Sequence, residues 1–231
     1  MAYQRKNNSL LIDIETMPLP DAIDYLDPSA LEGITPPSNY TKDEAKANYI
    51  LREQERIRRE HVEKAALDPD LCRIAVIGWL DTATGRPTLH ACQSETEEAG
   101  ALTIFWRQID ESTRLSGFNI LVFDLPVLYR RSLYLNVRTP FIQRERYRHQ
   151  NVIDLLDIME EQGRLKKRSV AFYCKRFGID NPDPVKGKDV PKLIAEGRWD
   201  DVVAHCRHDL IAEHALAVRL GVLEPVEVAV F

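Results

Sequence analysis

The chain has 231 residues, 44% of them hydrophobic and 29% charged, and carries a net charge of −5. That length suits one large domain or two small ones, with an ordinary globular core. The acidic balance excludes a protein that coats nucleic acid through a broad basic surface, and no apolar stretch nears the length that spans a bilayer.

In chain order, residues 1–8 lead into a strand with no signal-peptide pattern. The run Leu10-Leu11-Ile12-Asp13-Ile14-Glu15-Thr16 is the first predicted strand. Side chains alternate along a strand, so Asp13 and Glu15 point the same way while Leu11, Ile12 and Ile14 supply packing. Two like charges so close repel, and a hard divalent cation such as Mg²⁺ would relieve them. Met17-Pro18-Leu19-Pro20 breaks the strand, and Pro36-Pro37 forbids regular structure further on. Thr41-Lys42-Asp43-Glu44 reads as a capping box opening an exposed, charge-rich helix to about residue 67, stopped by Asp68-Pro69. Strands over 72–80 and 88–92, joined through Thr84-Gly85-Arg86-Pro87, form a hairpin.

A helix is expected over 96–112, a strand over 115–119 and a helix over 124–135. An irregular connection over 139–150 and a short strand over 151–157 follow, and the remainder to 220 reads as helical. Strands first, then strands alternating with helices, give an α/β domain with a mixed β-sheet flanked by helices. The expected organisation is a single domain over 1–231 with a helical arm, 21–70, inserted after the first strand. The four scattered cysteines form no C-x-x-C pair and read as reduced thiols of a cytoplasmic protein.

Further acids recur along the chain. Asp124 follows a strand and opens a helix, with Pro126 in the first turn. It serves there either as an N-cap, worth about 1 kcal/mol, or as a binding group at a strand-to-helix junction. His205 and Asp209 lie four apart on the last helix and share a face, which by itself suits a surface hydrogen bond or, with Glu213 one turn on, a solvated acidic stripe. The basic clusters Arg52/Arg56/Arg58/Arg59, Arg144/Arg146/Arg148 and Lys166/Lys167/Arg168 read as solvated faces.

The order of these acids resembles the DEDD (DnaQ-like) 3′–5′ exonuclease superfamily: Asp-x-Glu on a first strand, Asn-x-x-x-Phe-Asp at a junction, and an Asp in a C-terminal helix. More narrowly, Gly117-Phe118-Asn119-Ile120-Leu121-Val122-Phe123-Asp124-Leu125-Pro126 is similar to the second exonuclease motif of family B DNA polymerases. Phe177-Gly178-Ile179, Lys186-Gly187-Lys188-Asp189-Val190 and Glu196-Gly197-Arg198 resemble the stand-alone relatives of that domain.

The resemblance implies an RNase H-like fold and two divalent ions, Mg²⁺ or Mn²⁺, held by Asp13, Glu15, Asp124 and Asp209. Such an ion pair clamps an in-line displacement at phosphorus. The family divides by a Tyr four residues before the last Asp or a His five before it; here His205 occupies the Tyr slot and would position or deprotonate water. Asn119 and Phe123 would shape the substrate cleft. The expected activity is hydrolysis at DNA 3′ ends, most readily single-stranded, with no membrane association and protein partners unidentified. An exoribonuclease acting on short RNA, and a catalytically weak module that binds nucleic acid or a protein partner, are the alternatives.

Overall fold

The first strand forms where the alternation demands it. The computed structural model describes residues 9–142, 151–181 and 183–229, and β1 runs Ser9–Pro18. Its even positions, Leu10, Ile12 and Ile14, enter one apolar cluster with Leu102, Phe105, Leu125 and Leu128. Leu11 enters the opposite one with Tyr173, Leu210 and Leu216. The odd positions Asp13 and Glu15 therefore share the Leu11 face.

β2 (Cys72–Asp81) and β3 (Arg86–Ala91) complete an antiparallel hairpin against β1, whose register shifts between Glu15 and Thr16. β4 (Arg114–Gly117) and β5 (Val152–Asp154) pair in parallel on the other side. The five strands lie in the order β3-β2-β1-β4-β5, with β1 at the centre. The even face is covered by α2 (Glu95–Trp106) and α3 (Asp124–Tyr134), and the odd face by α5 (Val170–Phe177), α6 (Val190–Ala195) and α7 (Trp199–Arg219).

Between β1 and β2, two single-turn 3₁₀ segments and α1 (Asp43–Ala65) leave the sheet and return to it. Leu19 N–H donates to Leu71 O (2.9 Å) at the neck, and the Thr16 hydroxyl donates to Ala66 O (2.6 Å). On α1, Arg56 pairs with Glu53 and Glu60, and Arg59 approaches Glu63, so these two cations are taken up by the helix's own acids.

Several expectations are corrected. Lys42 precedes α1 with no side-chain cap; the box-like cap is instead at Ser94, which accepts from Glu97 N–H while Glu97 reaches back to Gln93 N–H. α2 stops at Trp106, six residues short. The strand at 151–157 is cut at Asp154, whose carboxylate caps α4 (Leu155–Met159) by accepting from Leu156 and Asp157 N–H. Among the described residues the stretch after residue 159 is three separate α-helices and a 3₁₀ turn, with non-helical chain over 160–169, 178–181 and 183–186. Most of the expected irregular segment, 143–150, lies outside the described residues, as do Arg144, Arg146 and Arg148.

Candidate active site

Two glycines let the acidic elements meet. Gly78 on β2 lies opposite Asp13, and a Cβ there would come within 2.7 Å of Cys206 Sγ and 3.0 Å of Leu210 Cδ1. Without one, α7 settles on the sheet and brings His205, Asp209 and Glu213, at helical spacing, beside Asp13 and Glu15. Gly117 ends β4 where a Cβ would lie 2.5 Å from Ile12 O, so the chain turns off the sheet hard against β1.

That turn sets Asp124. The N-cap position belongs to Phe123; Asp124 is the first helical residue and accepts from Ile14 N–H on β1 at 3.1 Å. Its carboxylate is thus tied across to the strand carrying Asp13 and Glu15, which the cap reading does not describe. The intervening loop is held by two further acids. Asp154 accepts from Asn119 N–H (2.8 Å) and Leu121 N–H (3.0 Å), stabilising the left-handed backbone at Asn119 (φ 66°), which Asn tolerates better than most residues. Glu213 accepts from Phe118 N–H at 3.1 Å. It is buried, not part of a solvated stripe, with its carboxylate turned onto the backbone of the loop after Gly117.

His205 is buried at 4% exposure. Its Nδ1 is bonded to the Asp183 carboxylate, and its Nε2 lies 3.5 Å from Glu15 Oε1 and 3.7 Å from Asp209 Oδ2. His208 approaches the other Asp183 oxygen at 3.8 Å, so both imidazoles converge on one acid. Ligand atoms of Glu15, His205 and Asp209 all lie within 4.8 Å of one another, and so do those of Asp13, Glu15 and Cys206.

The cleft around these groups measures about 1270 Å³. Asp13, Glu15, Asp124, His205, Asp209 and Glu213 line it, as do Asn119 and Phe123. Phe123 also packs on the even-face core, and Asn119 accepts a hydrogen bond from Lys167 Nζ at 2.8 Å. Lys167, Arg168, Lys188 and Lys192 add positive charge, and Val62, Ala66 and Leu67, at and just beyond the end of α1, add an apolar wall.

A family model described as a predicted 3′–5′ exonuclease related to the exonuclease domain of PolB matches residues 67–225. The chain belongs to that family. Its sheet with flanking helices has the RNase H-like fold. Among solved structures, the family B DNA polymerase of the hyperthermophilic archaeon Pyrobaculum calidifontis matches with a TM-score of 0.59 and 14% identity, over 92% of this chain and 24% of the polymerase. Exonuclease I matches with a TM-score of 0.48 and 15% identity, over 94% of this chain and 41% of its own. The chain thus spans about a quarter of the polymerase and under half of exonuclease I. No curated protein matches it. Among the described residues, no helix is long and apolar enough to cross a membrane.

In this exonuclease-family chain the carboxyls are strongly perturbed. Burial pushes Asp13 well up, and the charges of Asp209 and Asp124 push it further. Glu15 is raised well above its ordinary value by burial, then by Asp13, Asp209, Asp124 and Asp183. Burial lifts Asp124 to about 8 against the pull of its backbone hydrogen bonds. Asp209 rises by burial, moderated by the neighbouring imidazoles, and Glu213 rises well up by burial and by Asp13, Asp124 and Asp209. Mutual repulsion of this kind is relieved by a cation.

The residues present fit one. Asp13 Oδ2 is buried with no partner, and Glu15, only 6% exposed, accepts no hydrogen bond from any described residue. Hard oxygen donors facing one point are what a divalent cation takes. Asp124 stands beside this group, with one oxygen occupied by Ile14 N–H.

Sequence reasoning missed Asp183 and left Asp154 as an ordinary strand residue. Asp154 sits before Leu155-Leu156, a capping signal that could have been read. Asp183 lies in the aperiodic run Asp180-Asn181-Pro182-Asp183-Pro184, which carries no local sign of its partner 22 residues away.

Proposed function

We propose that the chain hydrolyses the terminal phosphodiester bond at the 3′ end of DNA, single-stranded by preference, releasing nucleoside 5′-monophosphates. Water attacks phosphorus, the bond to the 3′ oxygen breaks, and that oxygen leaves with the electron pair. The observation that carries the reading is the convergence of Asp13, Glu15, Asp124 and Asp209 on one cleft with a cationic rim.

These four carboxylates would hold Mg²⁺ or Mn²⁺ ions, two by the resemblance, and bound ions would activate the attacking water and offset charge on the departing oxygen. The chain's own groups bind and orient the strand. Lys167, Arg168, Lys188 and Lys192 line the cleft where phosphates would run, and Phe118 and Phe123 offer aromatic surface for terminal bases. Asp154 and Glu213 keep the 118–123 loop, and hence Asn119 and Asp124, in register with β1. We read residues 21–70 as an inserted arm whose end narrows the cleft on the side of Val62 and Leu67, which favours one strand over two. Four free, buried cysteines are consistent with a reducing, cytoplasmic compartment.

End-labelled single-stranded DNA incubated with Mn²⁺ or Mg²⁺ tests the reading. Stepwise shortening from the 3′ end, lost about 10³-fold or more in Asp13→Ala, is the expected result. Tight binding without shortening would favour the catalytically weak module, and shortening of RNA alone would move the substrate to the ribonuclease alternative.

A further inference from the structure

We propose that His205 Nε2 is itself a cation ligand, forming with Glu15 and Asp209 a mixed imidazole–carboxylate position that takes a transition-metal dication such as Mn²⁺ in preference to Mg²⁺, and that Asp183 is the positioning residue that aims it. This rests on the cation-site reading above and adds to it a nitrogen donor, and with it the class of cation.

An ionised carboxylate only accepts, so the bond from His205 to Asp183 puts the ring proton on Nδ1. In the neutral ring Nε2 then keeps its lone pair, and that lone pair faces Glu15 Oε1 at 3.5 Å and Asp209 Oδ2 at 3.7 Å. Both spacings are too long for hydrogen bonds. They match donors sharing one ion, since atoms about 2.1 Å from a common ion lie about 3–4 Å apart. Glu15 is nine-tenths buried, accepts nothing from the described residues, and points at the same place. A metal-bound imidazole whose other nitrogen donates to a carboxylate is the usual way such a ring is oriented. Magnesium prefers oxygen donors, whereas imidazole suits transition dications, iron, nickel, copper and zinc above all, and Mn²⁺, the weakest of that series, still takes a nitrogen donor more readily than magnesium does. The residue that makes the chain depart from the Tyr branch would thus change the metal, rather than only replace a water-holding phenol.

Mn²⁺ titrations followed by EPR, with pulsed EPR on the bound ion, test this without an activity readout. The expected spectrum shows imidazole ¹⁴N modulation that converts to the ¹⁵N pattern in protein carrying ¹⁵N-histidine, a comparison that needs no variant to fold. His205→Tyr should lose the modulation and lower the Mn²⁺ to Mg²⁺ affinity ratio about 10-fold or more. Asp183→Ala should weaken Mn²⁺ about 10–100-fold, with partial recovery in Asp183→Asn, which still accepts a hydrogen bond. Bound Mn²⁺ without nitrogen modulation, or with modulation that persists in His205→Tyr, overturns the proposal and leaves the carboxylate site standing. No bound Mn²⁺ at all overturns both.

Discussion

Buried charge occurs on both faces of the sheet, and the two faces treat it differently. On the α2/α3 side, Glu98 (0% exposed) and Arg131 (3%) form a bidentate pair at 2.7 and 3.0 Å, and Glu98 also accepts from Ile74 N–H. On the α7 side, Asp13, Glu15, Asp124, Asp209 and Glu213 crowd one cleft, and no arginine or lysine among the described residues forms an ion pair with any of them. The first group is neutralised within the chain and serves stability. Among the described residues the second has no such arginine or lysine partner, and that deficit is what marks it as a site.

Removing charge should therefore have opposite consequences on the two faces. Arg131→Ala strands Glu98 in the core and should destabilise the fold by about 3–5 kcal/mol in urea denaturation, the largest effect expected. Saturating Mn²⁺, at about 100 times its dissociation constant, should stabilise the native protein by about 2.7 kcal/mol over an EDTA control.

The deficit should also be visible with pH. Asp124 is lifted to about 8 in the folded chain, whereas an unfolded Asp titrates near 4. Below about pH 4 both states are protonated and the folded state carries no penalty. As pH rises toward about 8 the unfolded state sheds its proton first, so stability in EDTA falls across that window. Thermal melts should then show a larger metal-induced rise at pH 8 than at pH 5. Asp13→Asn should raise stability in EDTA by about 0.5–2 kcal/mol while activity is lost, the reverse of Arg131→Ala; a fall in stability would undo the contrast. The smallest effect is expected at the rim: Lys167→Ala should weaken single-strand binding a few-fold and reduce the salt slope by about one ion.

Much of the site was legible along the chain. Strand alternation alone gave Asp13 and Glu15 a shared face, and helical spacing did the same for His205 and Asp209. Their union with Asp124 came from the resemblance, and the geometry adds the Ile14 hydrogen bond that ties Asp124 to β1. The placing of Glu213 was left open because helical periodicity says which residues share a stripe and not what that stripe faces. Local capping chemistry failed at Thr41, where α1 is preceded by Lys42 with no side-chain cap, and at Asp124, whose carboxylate is taken up by Ile14 N–H on β1.

The sequence by itself determined the β1 pattern, the alternation of strands and helices, and the candidate acids, because these depend on neighbours within one turn or one pleat. Only the tertiary structure decided that Gly78 and Gly117 bring α7 and the 118–123 loop against β1, that Glu213 turns inward, and that Asp183 holds His205. Those contacts join residues 22 to nearly 200 positions apart, and no short-range propensity encodes them.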